Sequence, residues 1–144
     1  MEYISTEQDL NSIVPTLLKQ LQTKRIWLLS GQMGSGKTTL VKRMGIFLGL
    51  KDEVTSPSYS IINEYTSNEN LISGKRVYHI DLYRLGHIKD ALEIGIEEIL
   101  EGTDLVIIEW ADIIYPLLAK NSFQEIHIEL LDNQTRRYIL KPNK

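Results

Sequence analysis

The stretch "GQMGSGKTTL", residues 31–40, carries three glycines, one lysine and two threonines. It follows the apolar run "RIWLLS", residues 25–30, and leads into "KTTLVKRMGIFLG", residues 37–49. The first run reads as a buried strand. The second reads as a helix with Leu40, Val41, Met44, Phe47 and Leu48 inward and Gly49 as its stop. Between them, the spacing Gly31-x-x-x-x-Gly36-Lys37-Thr38 is the phosphate-binding pattern. Glycines let successive backbone N–H groups approach and cradle phosphate oxygens, and the helix behind aims its positive end at the same point. The expected ligand is a nucleoside triphosphate with Mg²⁺. The loop residues Gly31, Met33, Gly34, Ser35 and Gly36 hold phosphate, followed by Thr39. Lys37 bridges the β- and γ-phosphates, and the Thr38 hydroxyl ligates the metal.

Working outward, such a site needs an acid at the end of a neighbouring strand. "LVIIEW", residues 105–110, provides an apolar strand that ends on Glu109. A strand-end acid alone is commonly just solvated, but beside a phosphate loop it reads as a metal-side residue. Asp81, in "HIDLYR", residues 79–84, ends an alternating strand, within reach of the metal, its water shell or the attacking water. Arg84 is read as an ordinary surface cation. "TSPSYS", residues 55–60, reads either as a segment that senses phosphate and metal or as a proline-stiffened turn.

The rest of the chain supplies a frame. Leu10, Ile13, Val14, Leu17, Leu18 and Leu21 form one helical stripe, with Ser5 and Gln8 as a capping box and Pro15 predicting a kink or a later start. "VTSPSYSIINEYTS" and "KRVYHIDLYRL" pair as a hairpin. "KDALEIGIEEILEG" is helical with a break at Gly95, and "DIIYPLLAK" is a short helix. "EIHIELL" and "RRYILK" close the chain as a hairpin around "DNQ". Strand, glycine loop, helix and further alternation give an α/β three-layer sandwich with a mixed, partly parallel sheet. No linker or repeat interrupts residues 1–144, which read as one domain.

Composition narrows the function classes. Sixteen basic against nineteen acidic residues leave a net charge of -3, and the pairs Lys24-Arg25, Lys42-Arg43, Lys75-Arg76 and Arg136-Arg137 are scattered. Direct, tight nucleic-acid binding is not expected. With no cysteine there are no disulfides, thiolate metal sites or cysteine nucleophile, which fits a reducing cytoplasm. No signal-peptide pattern opens the chain, and no apolar run approaches a bilayer span, "LVIIEWADIIYPLLA" being cut by Glu109 and Asp112.

Residues 31–39, "SPSY" at 56–59, "HIDLYRL" at 79–85, "GIEE" at 95–98 and "IIEW" at 107–110, in this order and over nearly the whole chain, resemble the TsaE (YjeE) family. The glycine loop is generic; His79-x-Asp81-Leu82-Tyr83-Arg84 followed by Glu109-Trp110 is far more specific. The resemblance implies a P-loop NTPase fold and a bacterial, cytoplasmic ATPase needed for threonylcarbamoyladenosine in tRNA. It implies action on a TsaD–TsaB partner assembly rather than on tRNA itself. It also implies that Thr38 and Glu109 ligate magnesium, that Asp81 serves hydrolysis, that residues 56–59 form a switch, and that Trp110 accompanies the acid. Ser5, Thr6 and Arg137 lie where the family approaches its nucleotide. Two departures stand out: Gln32 where the family often has an acid, and Ser58 where the switch commonly has threonine.

Two other function classes share these features. A small-molecule kinase would need an acceptor pocket and an arginine-rich lid, and no such lid segment is present. A non-catalytic ATP sensor would bind without releasing phosphate. A GTPase lacks support, because no Asn-Lys-x-Asp, Thr-Lys-x-Asp or Asp-x-x-Gly motif occurs.

Overall fold

The computed structural model describes residues 1–51, 54, 61–71 and 74–141. The chain runs β1 (Glu2–Thr6), α1 (Leu10–Leu21), β2 (Ile26–Gly31), α2 (Lys37–Phe47), β3 (Ile62–Leu71), β4 (Gly74–Asp81), α3 (Ile88–Glu93), α4 (Ile96–Glu101), β5 (Leu105–Glu109), a 3₁₀ helix (Ala111–Leu117), β6 (Phe123–Leu130) and β7 (Thr135–Lys141). The strands form one sheet in the order β1-β7-β6-β2-β5-β4-β3. Its middle is parallel, β6 and β5 flanking β2 and β4 lying beside β5. Antiparallel pairs β3–β4, β6–β7 and β1–β7 finish both edges. The sheet is mixed and partly parallel, with a C-terminal hairpin, as expected.

Alternation along the central strands sends side chains to two cores. Trp27, Leu29 and Ile107 face α1 and α2 and join Leu17, Leu21, Leu40 and Met44. Ile26, Leu28, Val106 and Ile108 face the other side and join Ala91, Ile96, Leu100 and Ile114. Two helical layers thus sandwich the sheet. The buried Trp27 indole donates to the carbonyls of Leu21 at 3.0 Å and Lys24 at 2.8 Å, so its one polar group is satisfied.

Four local expectations need correction. Residues 2–6 form edge strand β1, paired with β7, rather than a helix entry. The Ser5–Gln8 capping box does not form: Thr6 Oγ1 accepts from the Asp9 N–H at 3.1 Å, and α1 starts at Leu10. Pro15 does not delay the helix: it sits inside α1, which starts at Leu10 and continues to Leu21. Burial of Leu17, Leu18 and Leu21, at ~1.5–3 kcal/mol each, outweighs the ~3 kcal/mol that an interior proline costs. Phe47 is 40% exposed at the end of α2 while Leu40, Val41, Met44 and Leu48 are buried. The break at Gly95 is as read: its φ of 85° separates α3 from α4. The segment 55–60, including the proposed switch at 56–59, lies outside the described residues.

Candidate functional site

The parallel core fixes where the site lies. β2 ends at Gly31, and the loop turns directly into α2. In an open α/β sheet, ligands bind beyond the carboxyl ends of the parallel strands. Two positions require glycine. At Gly31 a Cβ would meet the Ile128 carbonyl oxygen and Ser35 Oγ, each at 2.6 Å. At Gly36, with φ 104°, it would meet Arg136 Nε at 2.9 Å. Gly36 is the N-cap of α2 and supplies no side-chain cap, which leaves the first amides of the helix available to an anion.

A cleft of roughly 310 Å³ opens over this turn, lined by residues that include Met33, Gly34, Gly36, Thr38, Thr39 and Asp81. Lys37, Glu109, Trp110 and Arg136 complete its wall. Lys37 Nζ donates to the carbonyls of Gly31 at 2.7 Å and Gln32 at 3.0 Å and sits 4.3 Å from the Trp110 ring centre. Burial pulls the Lys37 ammonium below its usual range, while Glu109 and Asp81 pull it back up. Ser35 Oγ is buried and has no partner among the described residues. An unsatisfied hydroxyl within a glycine loop suits an incoming oxyanion.

The acids converge from neighbouring strands. Asp81 pairs in register with Glu109 across β4 and β5. Thr38 Oγ1 donates to Glu109 Oε2 at 3.2 Å, and His79 Nε2 lies 2.6 Å from the same oxygen. Glu109 is 3% exposed. Asp81 Oδ1 accepts the Tyr83 N–H at 2.9 Å. Burial raises the Asp81 carboxyl above the ordinary aspartate value; the Tyr83 N–H opposes that shift and the Glu109 charge adds to it. Thr38, Glu109 and Asp81 are hard oxygen donors. Among the described residues no cluster of three His, Cys, Asp or Glu could hold a metal unaided. That donor set fits Mg²⁺, which takes one or two protein oxygens and completes its shell from phosphate and water.

Trp110 has φ 56° and ψ 50°, a left-handed conformation that is rare for a bulky residue. It turns the chain sharply after Glu109 and sets the indole against Tyr83, with ring centres 4.9 Å apart.

The two late arginines part company. Arg136 Nε donates to the Ser35 carbonyl at 2.6 Å and lines the cleft. Arg137 pairs with Glu129 at 3.0 Å and is not among the cleft-lining residues. Thr6 lines a hollow of about 180 Å³ that shares Arg136 with the cleft. Arg84 is exposed. Behind Lys37 lies a second cavity of roughly 320 Å³, lined by residues that include Gln32, Trp110, Tyr115 and His127. At its edge Glu125 accepts from Tyr115 at 2.7 Å, Ser30 at 3.1 Å and Lys141 at 3.0 Å. Sequence reasoning did not single out Arg136 or assign a role to His79. Period-two alternation along β4 puts His79 on the same face as Asp81.

The sheet order, the glycine loop at the end of β2 and the helix behind it define an α/β protein of the P-loop class. A family model described as "Threonylcarbamoyl adenosine biosynthesis protein TsaE" matches residues 4–139. The chain belongs to that family, whose role is in the biosynthesis of threonylcarbamoyladenosine in tRNA. It is 31% identical over 143 residues to the tRNA threonylcarbamoyladenosine biosynthesis protein TsaE of Rickettsia typhi, covering 98% of this chain and 94% of that protein. The protein of the same name from Rickettsia conorii is 33% identical over 137 residues, covering 94% and 74%. That from Borreliella burgdorferi is 41% identical over 98 residues, covering 67% of each. The structure described as "Crystal structure of Bacillus subtilus YdiB" superposes with a TM-score of 0.71 at 22% identity, covering 100% of this chain and 86% of that one. At that identity the likeness bears on the fold.

Proposed function

We propose that this chain binds and hydrolyses ATP with Mg²⁺, slowly when alone and faster when docked on a TsaD–TsaB-like assembly, in service of tRNA threonylcarbamoyladenosine formation. One observation carries the reading: Lys37, Thr38, Glu109 and Asp81 line a single cleft over the glycine loop. The loop from Gly31 through Ser35 and Gly36, with the first turn of α2 and Thr39, holds the phosphates. Lys37 leaves the carbonyls of Gly31 and Gln32 and turns to the β- and γ-phosphates. Thr38 and Glu109 hold the metal, which when bound neutralises charge on the phosphate oxygens. Asp81 orients the attacking water and takes part in hydrolysis. The nucleoside end extends toward Thr6 and the arginine-bearing strand β7.

Partner dependence follows from what the site lacks in charge. In P-loop enzymes an arginine delivered in trans commonly accelerates hydrolysis by several orders of magnitude. Here Arg84 is exposed and Arg136 is engaged with the loop carbonyl. We read residues 1–144 as one P-loop domain acting in the cytoplasm, without tight contact to nucleic acid. Among the described residues no helix is long and apolar enough to cross a membrane.

The test is steady-state phosphate release across a titration with cognate TsaB and TsaD, with complex formation verified. A low basal rate that rises with bound partner, and a rise that vanishes in Asp81→Asn, is expected. Equal rates with and without bound partner would sink partner activation, and phosphate transfer to a small metabolite would replace it with a kinase.

A further inference from the structure

His79 stands out as a group the chemistry above does not use. It is fully buried in β4, with 0% exposure. Its Nε2 lies 2.6 Å from Glu109 Oε2, and its Nδ1 is buried with no partner among the described residues. A polar core position normally satisfies both nitrogens, so a protein retaining a half-satisfied imidazole spends stability there. Its neighbours on this face are mixed: Val77 and Ile107 are apolar, while Asn63 is its register partner on β3 and Asp81 lies two residues further along β4. An aliphatic residue would suit that position better if packing were its only task.

We infer that His79 is a positioning residue for the Glu109 carboxylate, resting on the reading of Glu109 as a magnesium-side group. A carboxylate oxygen only accepts, so Nε2 is the donor of this bond. The bond captures Oε2, which also accepts from Thr38, and leaves Oε1 with no partner among the described residues. The carboxylate of a side chain that lines the cleft is thereby held through one oxygen tied to both β4 and α2. Ligating carboxylates are commonly held by such outer bonds, and losing one typically costs 10–100-fold in metal affinity or activity.

The experiment titrates Mg²⁺ against the intact chain with a fluorescent ATP analogue and reads nucleotide affinity with EDTA and across the metal series. His79→Leu keeps apolar bulk and removes the donor; His79→Gln keeps a donor near Nε2. The expected result for His79→Leu is a rise of about tenfold in half-saturating Mg²⁺, with EDTA affinity within about twofold of wild type. His79→Gln should recover much of the difference. Unchanged Mg²⁺ dependence in His79→Leu, or equal loss in both variants at every metal concentration, would overturn the positioning role. A wild-type chain whose nucleotide affinity ignores Mg²⁺ would overturn the metal reading as well, which separates the two failures. If His79→Leu does not fold, ¹⁵N signals of the wild-type imidazole decide. A solvent-protected Nε2 proton that is perturbed in Glu109→Gln supports the bond, and its absence refutes it.

Discussion

Arg136 Nε and the Ser35 carbonyl oxygen are 2.6 Å apart, although 101 residues separate them in the chain. The strand nearest the C-terminus therefore clasps the glycine loop from outside, at the point where Gly36 leaves no room for a side chain. Its neighbour Arg137 pairs with Glu129, and both partners are more than a third exposed. Arg136→Ala should weaken ATP binding by about tenfold, or about 1.4 kcal/mol. Arg137→Ala should leave stability and affinity within about 1 kcal/mol, as exposed ion pairs do. Calorimetric titration of both variants checks the contrast.

In the function proposed here, Lys37 is the cation that meets the β- and γ-phosphates. Lys37→Ala should weaken ATP binding by at least tenfold, about 1.4 kcal/mol, the low end for a charge-assisted contact. Unchanged affinity by calorimetry would remove the phosphate-loop reading.

Glu109→Gln and Asp81→Asn should spare the fold and nucleotide binding and reduce phosphate release to near background. Both side chains line the cleft and neither belongs to an apolar core. Wild-type turnover in either variant returns that acid to a structural role.

Glu125 gives a pH signature. Burial pushes its carboxyl up, but bonds from Tyr115, Lys141 and Ser30 outweigh that and hold it below the ordinary glutamate value of 4.5. Its charged form is favoured by folding, so its contribution is present above pH 4.5 and is lost as pH falls through the lower native value. Glu125→Gln should cost about 1–3 kcal/mol at pH 7 and flatten the acid limb of stability. Urea denaturation between about pH 2 and about pH 7 measures both, a range that brackets the ordinary carboxylate values near pH 4. Parallel acid limbs in the two proteins would contradict the assignment.

The parts of this fold that announced themselves are local or periodic. The glycine loop, the buried runs of β2 and β5, the break at Gly95 and the terminal hairpin all follow from residue spacing within a short window. β1 did not, because "EYIST" is polar and gains its strand character only by pairing with β7 across the whole chain. Phe47 lies at the side of the stripe that α2 buries, not beyond its end, since Leu48 after it is buried. Arg136 and Arg137 show the sharpest limit: adjacent strand residues point to opposite faces, so a register shift of one exchanges them. His79 was visible as part of a motif, yet its partner is set by tertiary geometry, since Glu109 is 30 residues away.

The placement of Lys37 over Trp110 also gives this protein an optical gauge. The chain has two tryptophans. Trp27 is sealed in the core and fully hydrogen-bonded, so its emission is a constant background. Trp110 carries an ammonium 4.3 Å from its ring centre only while Lys37 is folded back on the loop. If Lys37 turns to phosphate as proposed, a positive charge leaves the indole face and the Trp110 emission should change. Intrinsic fluorescence should then report where a single lysine is, without any label, and time the loading and emptying of the cleft.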